Sequence, residues 1–288
     1  MINIHLNVRR ASARDHRQIS SLIAQESNTH RHLDWRPALE WIGEQNFWVL
    51  EDQGTIIAAL ACPEDPPHIA WIRLFSHHPH LSGPEAWSAI WEVAHAEIFA
   101  SNPQAQVASI VMKQWWHDVL AQNGFEQRYS IVLLELHSEN FVSHPIPQHI
   151  QIRPMQEADF QIVEQIDSQA FGGFWHNTLD SLQRAHRQSF YSSVAVDETG
   201  LIGYQISTGN LFGAHLARLA VRPEAQRRGV AFALVQDLIQ KAGGLQSGRL
   251  SVNTQGDNHA SLHLYKKLGF VRTGEYYPVL VYPMRDMP

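Results

Sequence analysis

The chain has 288 residues, a formal net charge of -6 and a hydrophobic content of 44%. This composition supports a packed core and excludes a disordered chain. The acidic balance argues against a nucleic-acid-binding protein, which needs a basic face. No stretch approaches the length of a membrane span, and the single cysteine, Cys62, is typical of a reducing compartment. We therefore expect a cytoplasmic protein without a membrane segment or a leader peptide. The scattered histidines predict no metal site.

The first half of the sequence predicts alternating strands and helices. Short segments with alternating apolar residues predict strands, and apolar residues at helical spacing predict helices. In chain order, the predicted elements are a strand at 4–8, a helix at 13–25, a hairpin at 47–51 and 55–61, a strand at 68–75, a helix at 85–99, a strand at 107–112, a helix at 116–122 and a strand at 125–136.

The second half predicts the same order of elements again. They are a strand at 151–154, a helix at 157–170, a hairpin at 194–197 and 201–208, a strand at 216–221, a helix at 229–242, a strand at 248–252, a helix at 259–268 and strands at 270–273 and 279–284. In both halves the last helix ends before a Gly-Phe pair, at Gly124 and Gly269, as expected for a left-handed helix cap. We therefore predict one fold used twice, in domains 1–142 and 150–288, with a Pro-rich linker at 143–149.

One segment of the second half has the features of an anion-binding site. A buried strand ends at Val221, Pro223 stops it, and Gly229 begins an apolar helix. The first amides of a helix have no intrahelical acceptor, and the helix dipole makes this end positive, so it attracts phosphate groups. Arg227 and Arg228 add positive charge. An ordinary strand–turn–helix with two surface arginines would show the same pattern.

Two motifs in the second half resemble those of a known family. Gln226-x-x-Gly229-x-Ala231 is similar to the acyl-CoA signature of the GNAT superfamily of N-acyltransferases. The run from Asn258 through Ala260, Leu264 and Tyr265 to Gly269-Phe270 resembles that superfamily's second motif. The resemblance covers nearly all of residues 150–288. It implies an α/β (α+β) fold with two tandem GNAT-like domains, each a mixed twisted sheet flanked by helices.

The resemblance also implies a cofactor, acetyl-CoA, and a place for it. The pantetheine arm would lie where the sheet splays open between the strands at 216–221 and 249–252, and the pyrophosphate would bind the amides of 228–231. The cofactor-binding residues that it implies are Leu219, Ala220, Val221, Gln226, Arg227, Arg228, Gly229, Val230, Ala231, Asn253, Asn258 and Tyr265.

Two side chains are candidates for proton transfer. Tyr265 is expected to protonate the departing thiolate, because a phenol has an ordinary pKa near 10 and a thiol one near 8.5. The alternative is a tyrosine that only packs in the core. His215 stands where some members of the superfamily carry a glutamate base, and strict alternation would place it on the same side of the strand as Leu219 and Val221. It is either a base that acts directly or through water, or a surface histidine at the start of a strand.

The first half lacks the cofactor motif. Aligning Pro79 with Pro223 puts Ser82, Glu85 and Trp87 at the positions of Gln226, Gly229 and Ala231. An acidic residue and an indole do not suit a pyrophosphate. We therefore expect a degenerate GNAT-like domain that has lost cofactor binding.

The resulting hypothesis is an N-acetyltransferase that moves an acetyl or short acyl group from acetyl-CoA to a primary amine by direct attack. The acceptor would be a small molecule or peptide, bound by the aromatic segment 171–190 and the loop 209–214. Glu157, Asp159, Glu164 and Asp167 are either an attraction for a cationic acceptor or a solvated helix face. The alternative function is a non-catalytic acyl-CoA-binding sensor or partner-binding module. The acceptor's identity and the oligomeric state stay open.

Overall fold

The computed structural model describes residues 6–210, 213–242 and 248–283. Three sequence-based predictions fall partly outside these residues. They are the first two positions of the strand at 4–8, the middle of the acceptor loop at 209–214 and the last position of the strand at 279–284.

Strands and helices alternate along the described chain. The elements of the first half are β1 (Leu6–Arg10), α1 (His16–Ile23), β2 (Thr29–Arg31), β3 (Phe47–Asp52), β4 (Thr55–Ala61), β5 (Ile69–Trp71), β6 (Leu74–His77), α2 (Gly83–Ser101), β7 (Gln106–Ile110) and α3 (Gln114–Gln122). Those that follow are β8 (Glu126–His137), β9 (Gln151–Pro154), α4 (Phe160–Trp175), α5 (Leu179–Gln188), β10 (Tyr191–Asp197), β11 (Gly200–Asn210), β12 (Gly213–Val221), α6 (Val230–Lys241), β13 (Arg249–Gln255), α7 (His259–Leu268) and β14 (Val271–Val281).

The chain forms two compact units that exchange strands. Unit 1 contains residues up to 128 together with those from 277 onwards, and unit 2 contains 129–276. In unit 2, β8 from the first half of the sequence pairs with β13. In unit 1, the end of β14 pairs with β7, with Val279 opposite Ile110. The division in space therefore differs from the predicted division at 143–149. That segment has no strand or helix, and His144 is fixed to Gln236 of unit 2 by two hydrogen bonds.

Unit 1 has two groups of strands. One sheet has the order β1-β3-β4-β6-β2, and β5 and the end of β14 pair with β7 on either side. The predicted strand at 68–75 is two strands, β5 and β6. The core includes a cluster of stacked and edge-on aromatic rings, among them Trp87, Trp91 and Trp116. Trp87 and Trp116 are fully buried.

Unit 2 is built on a mixed sheet in the order β14-β8-β13-β12-β11-β10-β9. Apolar residues of β8, β12 and β13 pack with α6 and α7 in one buried cluster. Helices α4 and α5 contact β11, and α4 also contacts β12. The predicted α/β architecture, a mixed sheet flanked by helices in each half, is confirmed.

The predicted glycine caps are also confirmed. Gly124 and Gly269 follow α3 and α7 with φ of 83° and 97°, in the left-handed region. At Gly269 a Cβ atom would lie 1.8 Å from the carbonyl oxygen of Asn140, so a side chain has no room there.

Within residues 6–210, 213–242 and 248–283, no helix is both long and apolar enough to cross a membrane. Among the same residues, no group of three or more histidine, cysteine, aspartate or glutamate side chains is placed to hold a metal ion.

Candidate active site

The sheet of unit 2 opens between β12 and β13. The two strands pair in parallel from Gly213–Arg249 to Leu216–Val252. Beyond that point β12 continues to Val221 paired with β11, and β13 continues to Gln255 paired with β8. In the described chain, the edge of β12 from Ala217 to Val221 therefore has no strand beside it. We call this edge, with the adjacent end of β13, the fork.

A β-bulge lies where the fork begins. Ile206 is opposite Arg218 and Ser207 is opposite Leu216, so Ala217 is an extra residue in β12. An extra residue reverses the alternation of side chains beyond it. Leu216 packs with the cluster around α6 and α7, whereas His215 contacts Ser251 on the opposite face. The expectation that His215 shares a face with Leu219 and Val221 is therefore wrong.

The turn after β12 points backbone amides at the same end of the sheet. A short 3₁₀ turn at Pro223–Ala225 is followed by Arg227 and Gly229, whose φ values are 61° and 87°. Gly229 caps α6, and the first intrahelical hydrogen bond runs from the amide of Ala233 to its carbonyl at 3.0 Å. The first three amides of α6, at 230–232, precede that bond and are free to bind an anion.

Residues of the motif Gln226-x-x-Gly229-x-Ala231 also hold the backbone of this turn in place. The amide nitrogen of Gln226 donates to the carbonyl of Val221 at 3.2 Å, so its side chain fastens the turn. Arg228 forms an ion pair of 3.0 Å with Asp197. At Gly229, an added Cβ would lie 3.0 Å from Pro147. The glycine is thus required by its positive φ and by close packing of the segment 143–149, and Val230 is buried behind it.

Tyr265 is buried on the α7 side of the fork. Only 4% of it is exposed, and it packs in the cluster that contains Leu216 and Val252, the last residues before β12 and β13 separate. Burial raises the pKa of Tyr265 above its ordinary value. The phenol therefore keeps its proton throughout the neutral range, which a proton donor requires.

His215 is held on the opposite face. Its Nδ1 lies 2.9 Å from the hydroxyl of Ser251, its partner in the parallel register, and that hydroxyl is 3.5 Å from the carbonyl of Ala214. When the hydroxyl of Ser251 donates to the carbonyl of Ala214, the same hydroxyl accepts a hydrogen bond from Nδ1–H of His215. The proton of the neutral ring is then on Nδ1, and Nε2 of His215 keeps the lone pair that a base needs. Burial lowers the pKa of His215, so the ring is neutral at pH 7.

Two asparagines near the fork have different surroundings. Asn253 is the first residue of β13 beyond the pairing with β12, and its side chain is exposed. Asn258 caps α7, with its side-chain oxygen accepting from the amide of Ser261 at 3.0 Å. The structure therefore brings Leu219–Val221 and Asn253 to the fork and the amides of 229–231 to the end of β12. It gives Gln226 and Asn258 local roles in the backbone.

An ion pair beside the fork was missed by the sequence reading. Arg218 donates to both carboxylate oxygens of Asp167 at 2.7 Å each, and to the carbonyl of Trp175 at 2.7 Å. Asp167 is fully buried and also accepts from the hydroxyl of Tyr204 and from the amide of Asn177 at 2.6 Å. The signal available in the sequence was an arginine inside a largely apolar strand. Because Asp167 and Asp159 each bind an arginine, neither is free to attract a cationic acceptor.

The aromatic segment predicted to bind the acceptor continues α4. The helix extends to Trp175 across a kink at Gly172, whose φ is 66°. The guanidinium of Arg218 lies 3.5 Å from the ring centre of Phe171. Phe174 and Trp175 pack against Tyr129, with ring centres 5.0 and 5.5 Å away. Half-exposed aromatic side chains thus lie on the face of the sheet that carries His215.

Comparison with known proteins agrees with this architecture. Residues 152–270 match the Acetyltransferase (GNAT) family. A GCN5-related N-acetyltransferase from Sphaerobacter thermophilus has a similar structure, with a TM-score of 0.63, 15% identity and coverage of 98% of this chain and 97% of that one. A tandem GNAT protein from the clavulanic acid biosynthesis pathway gives a TM-score of 0.61, with 14% identity and coverage of 99% and 100%.

Sequence similarity to curated proteins is partial. An uncharacterized protein of Mycobacterium leprae is 29% identical over 138 residues, which are 45% of this chain and 37% of that protein. The match thus spans little more than a third of the relative's length. At these identities the similar structures establish the fold alone, and the second of them is a tandem GNAT protein, the arrangement predicted above.

Proposed function

Since residues 152–270 are a domain of the GNAT acetyltransferase family in a chain with the tandem GNAT fold, we propose that unit 2 transfers an acetyl group from acetyl-CoA to a primary amine. The observation that carries this proposal is the fork, whose open edge at Ala217–Val221 leads to the unpaired first amides of α6. An extended amide-containing arm fits the first feature and a phosphate fits the second.

The residues present suit acetyl-CoA. The backbone groups of Leu219 and the amide of Val221 would bind the pantetheine amides as an added strand does, while the carbonyl of Val221 accepts from Gln226. The amides of Gly229, Val230 and Ala231 would bind the pyrophosphate, with Arg227 contributing charge, while the charge of Arg228 is partly offset by its ion pair with Asp197. When bound, acetyl-CoA supplies a thioester carbonyl that an amine can attack.

His215 would then accept a proton and Tyr265 would donate one, from opposite faces of the sheet. Nε2 of His215 takes a proton from the attacking amine as the nitrogen–carbon bond forms. The hydroxyl of Tyr265 gives its proton, or a strong hydrogen bond, to the sulfur as the carbon–sulfur bond breaks. The two side chains lie on either side of the place where β12 and β13 separate, which fits a nucleophile and a leaving group on opposite sides of one carbon.

Titration calorimetry and a thiol-release assay test the proposal. We expect acetyl-CoA to bind the purified full-length protein, and a panel of primary amines to include acceptors that release free CoA thiol. Absence of acetyl-CoA binding would contradict the proposal. Binding without thiol release from any amine, peptide N-termini included, would favour the rival function of an acyl-CoA sensor, because the same fork binds the cofactor with or without turnover.

A further inference from the structure

Unit 1 contains the same strand–turn–helix arrangement as the cofactor site of unit 2. Its central strand is divided, with Ile69–Trp71 pairing in parallel with β7 and Leu74–His77 pairing with β4. A turn then leads from β6 into α2. The edge of β6 that faces away from β4 therefore corresponds to the open edge of β12.

That edge is occupied by the chain itself. Strand β2 runs antiparallel along it, with Thr29 opposite Ser76, His30 opposite Phe75 and Arg31 opposite Leu74. The amide of His32 extends the ladder by donating to the carbonyl of Arg73 at 3.0 Å. The backbone groups that would bind a pantetheine arm are thus already paired.

The inserted strand is part of the core of unit 1. Thr29 and His30 are only 1% and 3% exposed. The hydroxyl of Thr29 lies 2.7 Å from that of Ser76, and Lys113 donates to the carbonyl of Thr29 at 3.0 Å. His30 stacks on Trp116 and contacts the carbonyl of Ile72 at 3.2 Å. Burial lowers the pKa of His30 to about 3, so the ring stays neutral within this core.

The helix end that would bind the pyrophosphate is occupied too. Ser82 caps α2, and the carboxylate of Glu85 accepts from its hydroxyl at 2.6 Å and from its amide at 3.1 Å. This capping box places a negative charge at the positive end of the helix. The first turn of α6 in unit 2 contains no acidic residue.

We infer that unit 1 is a self-occupied acyl-CoA fold, in which strand β2 takes the place of the pantetheine arm and Glu85 takes the place of the phosphates. The chain then binds a single acyl-CoA, in unit 2. The second statement rests on the function proposed above, whereas the first depends only on the contacts of unit 1. Two separate contacts block the site, so the loss of either one does not restore it.

Hydrogen exchange of the full-length protein, with and without saturating acetyl-CoA, tests this inference. We expect slower exchange at 217–221 and 230–232 and unchanged exchange at 29–32, 74–77 and 82–86. Slower exchange at any of the last three would overturn the inference. Unchanged exchange at the unit 2 segments would instead contradict the proposed function. The inference about unit 1 would still be tested, because exchange at its three segments is measured separately.

Calorimetry with two variants gives an independent answer. Ala231→Glu puts a carboxylate at the start of α6 and should weaken binding at least about tenfold. An acetyl-CoA site that keeps the wild-type affinity in this variant would lie in unit 1 and overturn the inference. Glu85→Gln removes the charge from α2 but leaves β2 in place, so we expect the wild-type stoichiometry. A second equivalent of acetyl-CoA in this variant would show that β2 does not block the site.

Discussion

The carboxylate of Asp167 and the guanidinium of Arg218 form a bidentate ion pair that joins α4 to β12 directly after the bulge. Asp167 is fully buried and the side chain of Arg218 is 14% exposed. The same guanidinium binds the carbonyl of Trp175 and lies over Phe171. The pair thus fixes the kinked end of α4 beside the fork.

Neutralising this pair should destabilise the protein. Asp167→Asn leaves the buried arginine without a counter-charge, which costs about 3–5 kcal/mol. Asp159→Asn is a matched control, because its partner Arg153 is 39% exposed, and we expect about 1 kcal/mol or less. Denaturant unfolding monitored by circular dichroism measures both. Equal losses of unfolding free energy in the two variants would show that the buried Asp167 pair contributes no more to stability than the more exposed Asp159 pair.

Removing the hydroxyl of Tyr265 should slow turnover without weakening cofactor binding. Tyr265→Phe keeps the buried ring and loses the proton donor, so we expect kcat to fall by about 10²-fold or more. Acetyl-CoA affinity measured by calorimetry should stay within about twofold, since a proton donor to the leaving group contributes little before the reaction. Tyr191→Phe, which loses a hydrogen bond to Asp237 at the margin of the same buried cluster, serves as the control. An unchanged kcat in Tyr265→Phe would remove this residue from the mechanism.

The dependence of the reaction rate on pH should reflect the protonation of His215. Its pKa lies below the ordinary value because the ring is buried, and the neutral form accepts the proton. The acid limb of the rate that belongs to His215 should therefore lie below about 6.5, the ordinary histidine value. His215→Gln should lose this acid limb together with most of the activity. The exposed His263 of α7 provides the control, and His263→Gln should keep both. An acid limb that survives in His215→Gln would assign the base elsewhere.

A carboxylate at Ala231 should have opposite effects on stability and on binding. Ala231 is half-buried in the first turn of α6, where a negative charge stabilises the helix by about 0.3–1 kcal/mol. The same charge repels the pyrophosphate, and we expect Ala231→Glu to weaken acetyl-CoA binding at least about tenfold more than Ala231→Gln. The glutamine variant controls for size. Equal losses in both would mean that bulk, and not charge, governs the site. Gly229 is less suitable for this test because of its positive φ and its contact with Pro147.

The sequence predicted the parts of unit 2 that depend on neighbouring residues. The strand to Val221, the helix after Gly229 and the capped helix before Gly269 follow from local periodicity and turn chemistry, and the structure contains all three. The opening between β12 and β13 was expected from the resemblance and is present. Whether the residues around it bind acetyl-CoA stays a prediction.

What the sequence could not show are relationships between distant residues. The bulge at Ala217 depends on how β11 pairs with β12, and it moves His215 to the other face. Helix α5 lies in the segment predicted only as an acceptor wall. The insertion of β2 beside β6 joins residues 47 positions apart, as in Thr29 and Ser76, and no local pattern marks such a pairing.

The exchange of strands ties the completion of unit 1 to the synthesis of β14. Ile110 of β7 is made long before Val279, its partner in β14. At typical ribosomal speeds of about 5–20 residues per second, that edge of β7 stays unpaired for on the order of ten seconds until β14 has been synthesised. An unpaired strand edge is a site for wrong association during this interval. A cut of the chain at 143–149 would therefore separate β7 from β14 and β13 from β8.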